Sequence, residues 1–238
     1  MMGEFNVSIR TRRVTLASKF ILELYSFFLT LGSAVTCLFA SAQPARNLLR
    51  EELESFDLEI SSWIRANPTR NKDRLMRLAS SLGENVVFSL IALLAAGALF
   101  LAGARWEALA IFTVAVISAV IVGILKLIFS RPRPEGDCQV RTFGASFPSG
   151  HANSCTAFYL LLAFVLYQFV PPQLRWLLMV FTLAVVLLVG LSRIYLGAHY
   201  ASDVLAGFAT GGAIALGTGL AFGLYRLPLA HWFSALIP

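Results

Sequence analysis

Residues 174–224 read LRWLLMVFTLAVVLLVGLSRIYLGAHYASDVLAGFATGGAIALGTGLAFGL. Two apolar runs, Leu174–Tyr195 and Ala201–Leu224, are each long enough to cross a bilayer as a helix, which takes roughly 20 residues. Gly197 permits the turn between them. At that turn sit Ser192, Arg193, His199 and Asp203. Charge is expensive beside membrane helices and marks a functional site there. His199 and Asp203 stand four residues apart at the start of the second helix, so they stack on one face. A carboxylate so placed can fix one imidazole tautomer and leave the other ring nitrogen free to attack. The plainer alternative, a weak exposed ion pair, does not explain why Asp203 leads straight into an apolar helix.

The same alternation extends along the chain. Four further apolar runs, Leu16–Ala42, Asn85–Gly103, Glu107–Phe129 and Ala152–Val170, predict six transmembrane helices in all. The first run is too long for the apolar stretch of a cleavable signal peptide and no small-residue cleavage site follows it. Composition agrees. The 238 residues are 58% hydrophobic and 13% charged, against about 25% charged in an average soluble domain. The mean hydropathy of +0.74 excludes a soluble globule, and the expected fold is an all-α polytopic membrane bundle, one domain over residues 1–238. The net charge of +6 is largely held in motif clusters; without a basic stripe interleaved with aromatics, it does not describe a nucleic-acid surface. Cys37, Cys138 and Cys155 lack metal-ligand spacing. They read as small apolar side chains, with a Cys138–Cys155 bridge in an oxidising compartment as the alternative.

Residues 43–84, between the first and second spans, differ. Leu48, Leu49, Leu53, Phe56, Ile60, Trp63 and Ile64 recur at helical spacing between charged residues such as Glu51, Glu52, Glu54, Asp57 and Arg65, the pattern of an amphipathic helix. Pro68 is expected to end it. Leu75, Met76, Leu78, Ala79 and Leu82 suggest a second, shorter helix. The pair either rests on the membrane or the bundle, or forms a rim that guides an amphiphilic substrate.

Two more clusters carry chemistry. Lys126 closes the third span, and Arg133-Pro134 follows seven residues later. Pro132 and Pro134 should stop the helix, so that Lys126 points up from its end and Arg133 curls over the same spot. A lone lysine there would merely snorkel to the headgroups; its neighbours argue against that. Arg131 suits headgroup contact as well as catalysis. Pro148-Ser149-Gly150-His151 opens the fourth span. Backbone N–H groups at such a helix start form an anion cradle. Gly150 lets a phosphate approach the main chain, Ser149 adds a hydroxyl, and His151 can protonate a leaving oxygen. Alone, the four residues would describe only a capped helix.

With six spans, residues 130–150 and 196–200 lie on one side of the membrane, so all three clusters meet at one face. Arg10, Arg12, Arg13 and Lys19 before the first span favour a cytoplasmic N-terminus. Setting aside the motif cations and the charge-balanced 43–84 segment leaves Arg131 and Arg141 outside, against Arg105, Arg175, Arg226 and the N-terminal four inside. The site is thus expected to face the periplasm, exterior or a lumen. Trp106 and Trp176 fall at the inner boundary, where such rings anchor.

The pattern K-x6-RP (126–134), PSGH (148–151) and SR-x5-H-x3-D (192–203) resembles the type 2 phosphatidic acid phosphatase family, PAP2, and its signature positions are all present. The layout of six helices with an extramembrane segment after the first is similar too, so the resemblance covers nearly the whole chain. It implies that His199 is the nucleophile forming a phosphohistidine, Asp203 its orienter and His151 the general acid. It implies a phosphate clamp of Lys126, Arg133, Arg193, Ser149 and Gly150, and no metal or other cofactor. Phosphoryl transfer asks mainly for positioning and charge stabilisation, which three cations and backbone donors supply. A site at the bilayer surface suits a phosphate or diphosphate with an apolar tail: undecaprenyl diphosphate, phosphatidylglycerophosphate, phosphatidic acid or lipid A 1-phosphate. A bacterial inner membrane is the expected location, and nothing calls for nucleic acid or an obligate protein partner. A phosphotransferase would use the same site with a lipid acceptor. A transporter would explain intramembrane charge, though not its gathering at one face. A vanadate haloperoxidase would share the clamp, but such enzymes are soluble.

Overall fold

The computed structural model describes residues 43–136 and 138–223, and all of its regular structure there is helical. The expected first span, Leu16–Ala42, the basic residues before it, and Cys37 lie outside the described residues. The helices are α1 (Gln43–Arg65), α2 (Arg70–Ser81), α3 (Asn85–Leu101), α4 (Arg105–Phe129), α5 (Gly150–Tyr167), α6 (Arg175–Tyr195) and α7 (Ala201–Ala221). A 3-10 turn, Pro172–Leu174, precedes α6.

Among the described residues four helices are long and apolar enough to cross a membrane: α4, α5, α6 with its leading turn, and α7. A fifth span results if α2 and α3, bent by 52°, count together. α3 has 17 residues, short of a full span on its own.

α5 and α7 form the centre, packed on each other more extensively than any other pair. Gly207 and Gly211, one turn apart on α7, make this possible. A Cβ at Gly207 would lie 2.7 Å from the Ser149 carbonyl oxygen, and one at Gly211 would run into that of Asn153. Small residues at this spacing let helix backbones touch where lipid supplies no hydrophobic drive. Asn153, fully buried, joins three helices: it accepts from Ser118 Oγ of α4 and donates to Thr210 Oγ1 of α7 at 2.6 Å. Around this polar centre, Ile111, Val114, Phe158, Leu161 and Val165 form the apolar core.

α1 packs over the ends of α6 and α7, and α2 packs against α6. Their boundaries depart from expectation in one respect: α1 stops at Arg65, and Asn67 takes a left-handed conformation (φ 54°) before Pro68 is reached. Thr69 then caps α2, accepting from Lys72 N at 3.3 Å. α4 likewise ends before its prolines. Ser130 (φ 41°) is its left-handed cap, donating its N–H to the Lys126 carbonyl. This cap sends Arg131 back toward the bundle. Cys138 is exposed and Cys155 buried, and both are free thiols, so the bridge between them does not form.

Candidate phosphate site at the helix ends

The turn between α6 and α7 is built by backbone. Ala198 N and His199 N both donate to the Arg193 carbonyl, at 3.0 and 3.2 Å, and Gly197 takes φ 75°. His199 is thereby pinned at 3% exposure. Its Nδ1 edge faces Asp203 Oδ2 at 3.6 Å and Ser146 Oγ at 3.5 Å; its Nε2 edge faces an Arg133 terminal nitrogen at 3.5 Å. A guanidinium only donates, so the Nε2 lone pair points toward Arg133 and the ring proton belongs on Nδ1, toward the carboxylate. Burial lowers the His199 pKa to about 4 against the opposing pull of Asp203. The imidazole is therefore neutral at pH 7.

Asp203 has no exposed surface. Its Oδ2 accepts from Ser146 Oγ and from Tyr200 N (3.0 Å), and its Oδ1 accepts from Arg131 at 2.8 Å. The Asp203 carbonyl accepts from Ser149 N at 3.0 Å, which locks the start of α5 to the start of α7. Ser149 also caps α5, its Oγ accepting from Ala152 N at 3.5 Å. Gly150 needs no positive φ, and a Cβ there would meet only Val122 at an ordinary 3.5 Å. Packing alone does not require glycine at that position.

The cations converge from three elements. Lys126 Nζ donates to the Ala145 carbonyl at 2.5 Å, and Arg133 reaches the same oxygen at 3.4 Å. Arg133 also donates to the carbonyls of Phe143, Gly144 and Ala198. Burial lowers its pKa from the usual arginine value. Arg193, 4% exposed, donates to Ser80 Oγ of α2. Its Nε is the one buried side-chain nitrogen or oxygen among the described residues with no hydrogen-bond partner. A buried guanidinium N–H left unpaired is costly, and an anion would satisfy it. His151 lies within electrostatic reach of Arg193, His199, Lys126 and Arg133. Its ring backs onto Gly83, where a Cβ would sit 2.9 Å from Cδ2.

All eight expected site residues thus gather at one end of the bundle, with Arg133 at the Nε2 edge of His199 and Asp203 at its Nδ1 edge. Four others were not anticipated. Ser146 orients Asp203; Gly83 backs His151; Ser80 holds Arg193; Asp57 is tied to Arg131. Arg131 itself is neither a headgroup contact nor part of the cation cluster, because it pairs with Asp203 and Asp57 at 2.8 Å each. Burial opposes its charge, but the two carboxylates outweigh that and raise its pKa. Among the described residues no group of three or more His, Cys, Asp or Glu side chains is arranged to hold a metal ion.

The family model of the PAP2 superfamily matches residues 107–226. Phosphatidylglycerophosphatase B of Bacillus subtilis is 34% identical over 130 residues, 54% of this chain and 64% of that protein. A lipid A 1-phosphatase of Rhizobium etli is 31% identical over 141 residues, 53% of this chain and 57% of that one. The chain therefore spans less than two thirds of the length of these relatives. Among solved structures, a transmembrane PAP2 type phosphatidylglycerolphosphate phosphatase from Bacillus subtilis superposes with a TM-score of 0.69 at 24% identity, over 84% of this chain and 94% of that one. Aquifex aeolicus LpxE gives 0.53 at 23%, over 68% and 93%. At such identities the likeness concerns the fold.

Proposed function

The chain belongs to the PAP2 superfamily, and from that premise we propose that it is a metal-independent lipid phosphate or diphosphate phosphatase working through a phosphohistidine. The observation that carries the proposal is the polarity across His199: Nδ1 toward Asp203, Nε2 toward Arg133. Nε2 attacks phosphorus and the P–O bond to the lipid breaks. His151, protonated once the bound phosphate's charge offsets the surrounding cations, gives its proton to the departing oxygen. Water then attacks the phosphohistidine, His151 takes back a proton, and the N–P bond breaks to release inorganic phosphate. Lys126, Arg133, Arg193, Ser149 and the Gly150 N–H hold the phosphoryl oxygens, and the unpaired Arg193 Nε is one donor awaiting them. The bare approach to Gly150 suits an oxygen close to the main chain.

The proposed setting is a bacterial inner membrane crossed by six helices as one domain, the site facing outward and reached by a substrate whose tail stays in lipid. The relatives' names make phosphatidylglycerophosphate and lipid A 1-phosphate the leading candidates, beside undecaprenyl diphosphate and phosphatidic acid. The test is phosphate release by detergent-purified protein in EDTA across these four lipids, with His199→Ala alongside. The expected result is release that survives the chelator and drops about ten-thousand-fold or more in the variant. Release that needs added metal, or persists in His199→Ala, overturns the mechanism. Phosphate lost from a donor only when an acceptor lipid is added would make the site a phosphotransferase.

A further inference from the structure

Asp57 lies in α1, far from the motifs in sequence, yet it has no exposed surface. A buried carboxylate is tolerated only when fully paired, and this one is. Oδ1 accepts from Ser202 N at 2.8 Å; Oδ2 accepts from Ser202 Oγ at 2.6 Å and from Arg131 at 2.8 Å. Asp57 therefore grips the first turn of α7 one residue before Asp203. Arg131 is the other half of the device. One terminal nitrogen serves Asp57, while the other serves Asp203 Oδ1 and Ser202 Oγ, both at 2.8 Å. The guanidinium also lies 4.3 Å over the Tyr200 ring. The Arg131 carbonyl accepts from Ser146 N at 2.8 Å, and Ser146 in turn donates to the second Asp203 oxygen. Both Asp203 oxygens are thus fixed through Arg131.

We propose that Asp57 is a positioning residue of the site, acting through Arg131 and Ser202 to hold Asp203 against the Nδ1 edge of His199. The planar fork presents one terminal nitrogen to each carboxylate. The trio carries a net charge of minus one, facing the imidazole just where positive charge grows as Nε2 bonds to phosphorus. The other titratable groups that act electrostatically on His199 are Arg133 from the loop, Arg193 from α6 and His151 from α5, none of them a carboxylate, so this negative corner has no substitute. The kinetic part of the inference rests on the phosphatase proposal; the geometric part does not.

The test is Asp57→Asn in the full-length protein in detergent, read two ways. The chain has three histidines, so the His199 imidazole can be assigned by 15N NMR with His151→Gln and His231→Gln as references. With one charge gone, Arg131 turns wholly to Asp203 and draws it from the ring, and the His199 pKa should fall below its wild-type value. In lipid phosphate hydrolysis, kcat should drop about 10- to 100-fold with KM changed less than about threefold, because no clamp residue has moved. Arg131→Gln should cost as much, and the double variant no more than either alone. Additive losses overturn the route through Arg131. A wild-type His199 titration together with wild-type kcat, even with lowered thermal stability, makes Asp57 a packing residue only and overturns the proposal. Should Asp57→Asn not fold, Arg131→Lys, which reaches one carboxylate, decides by the same titration. Wild-type protein inert toward every lipid would sink the phosphatase proposal, while the NMR shift still decides the role of Asp57.

Discussion

In α4 the residues turned outward include Leu109, Phe112, Val116 and Val120, each near half exposed, while Ala110 and Ser118 are fully buried. In α1 the outward residues include Leu58 and Trp63, at 66% and 73%, and the fully buried one is Asp57. The two helices look alike in turning apolar side chains away from the protein. They differ in what lies beneath. Under α4 is the close-packed core of α5, where a small or satisfied group fits. Under α1 are the polar helix starts of the site, where Ser202 N–H and Arg131 demand an acceptor. α2 repeats the theme: Leu75 and Leu78 are exposed, and Ser80 is buried against Arg193. In both surface helices, the buried position follows the charge it must meet.

If the bundle supplies the reacting groups and the surface pair only supports them, substitutions should fall into two tiers. After His199→Ala the largest effect belongs to Asp203→Asn, for which we expect a loss of about ten-thousand-fold in kcat, comparable to losing the orienting carboxylate of other buried histidine sites. The sign of the accompanying titration is fixed by the geometry. Burial holds His199 near pKa 4, and Asp203 is the group opposing that shift. Removing its charge must push the pKa lower still, so the ring stays neutral at any assay pH and raising the pH should not restore activity. Activity regained at high pH would mean that Asp203 tunes protonation and not orientation. Next comes Arg193→Gln, removing a cation and the unpaired Nε at once. The expected cost is about 100- to 1,000-fold, with inorganic phosphate losing its power to inhibit. Unchanged inhibition by phosphate would remove Arg193 from the clamp.

The second tier begins with Gly83→Ala. The new methyl would stand 2.9 Å from His151 Cδ2 and 3.2 Å from Cys155 Sγ, so the imidazole must give way. A shift of a few tenths of an ångström in the proposed acid predicts a loss of about tenfold in kcat. Substrates with a better leaving group should suffer less. An equal loss for all of them would place the damage in folding and not in proton delivery.

The long apolar helices and the candidate site residues were legible in the sequence, because most of the charged ones stand at or just beyond the end of an apolar run where charge has no structural excuse. His199 and Asp203 could be found on that ground alone, whereas Lys126 needed its neighbours, since a lone lysine there would snorkel. The supporting residues were harder to see, because α1 and α2 are full of charge and one more carboxylate carries no surprise. A signal existed for Asp57 nevertheless. Leu53, Asp57, Ile60 and Ile64 follow the stripe spacing of a packed helix face, and all four are at least partly buried; an acid inside that stripe is as conspicuous as a lysine in a span. Ser80 and Gly83 offered no such mark. Their roles depend on where α2 lands relative to α6 and α5, which only tertiary packing decides. Arg131 was ambiguous because its direction is set by the left-handed turn at Ser130, a conformation unusual for serine.

The smallest expected effect, and the finest test of the two tiers, is Ser80→Ala. Arg193 keeps its charge and its place on α6, and loses only the hydroxyl that receives one of its N–H groups. In the free protein that N–H is then buried without a partner, which raises the energy of the empty site. A phosphate oxygen could take over from the missing hydroxyl. Orientation of the guanidinium suffers while the energy of the bound state recovers part of the loss, so the two effects oppose each other. The net expectation is a change of about threefold or less in kcat/KM, set against the hundredfold or more for Arg193→Gln. A loss approaching that of Arg193→Gln would show Ser80 touching the phosphoryl group itself, and the surface pair would then belong to the clamp and not merely to its support.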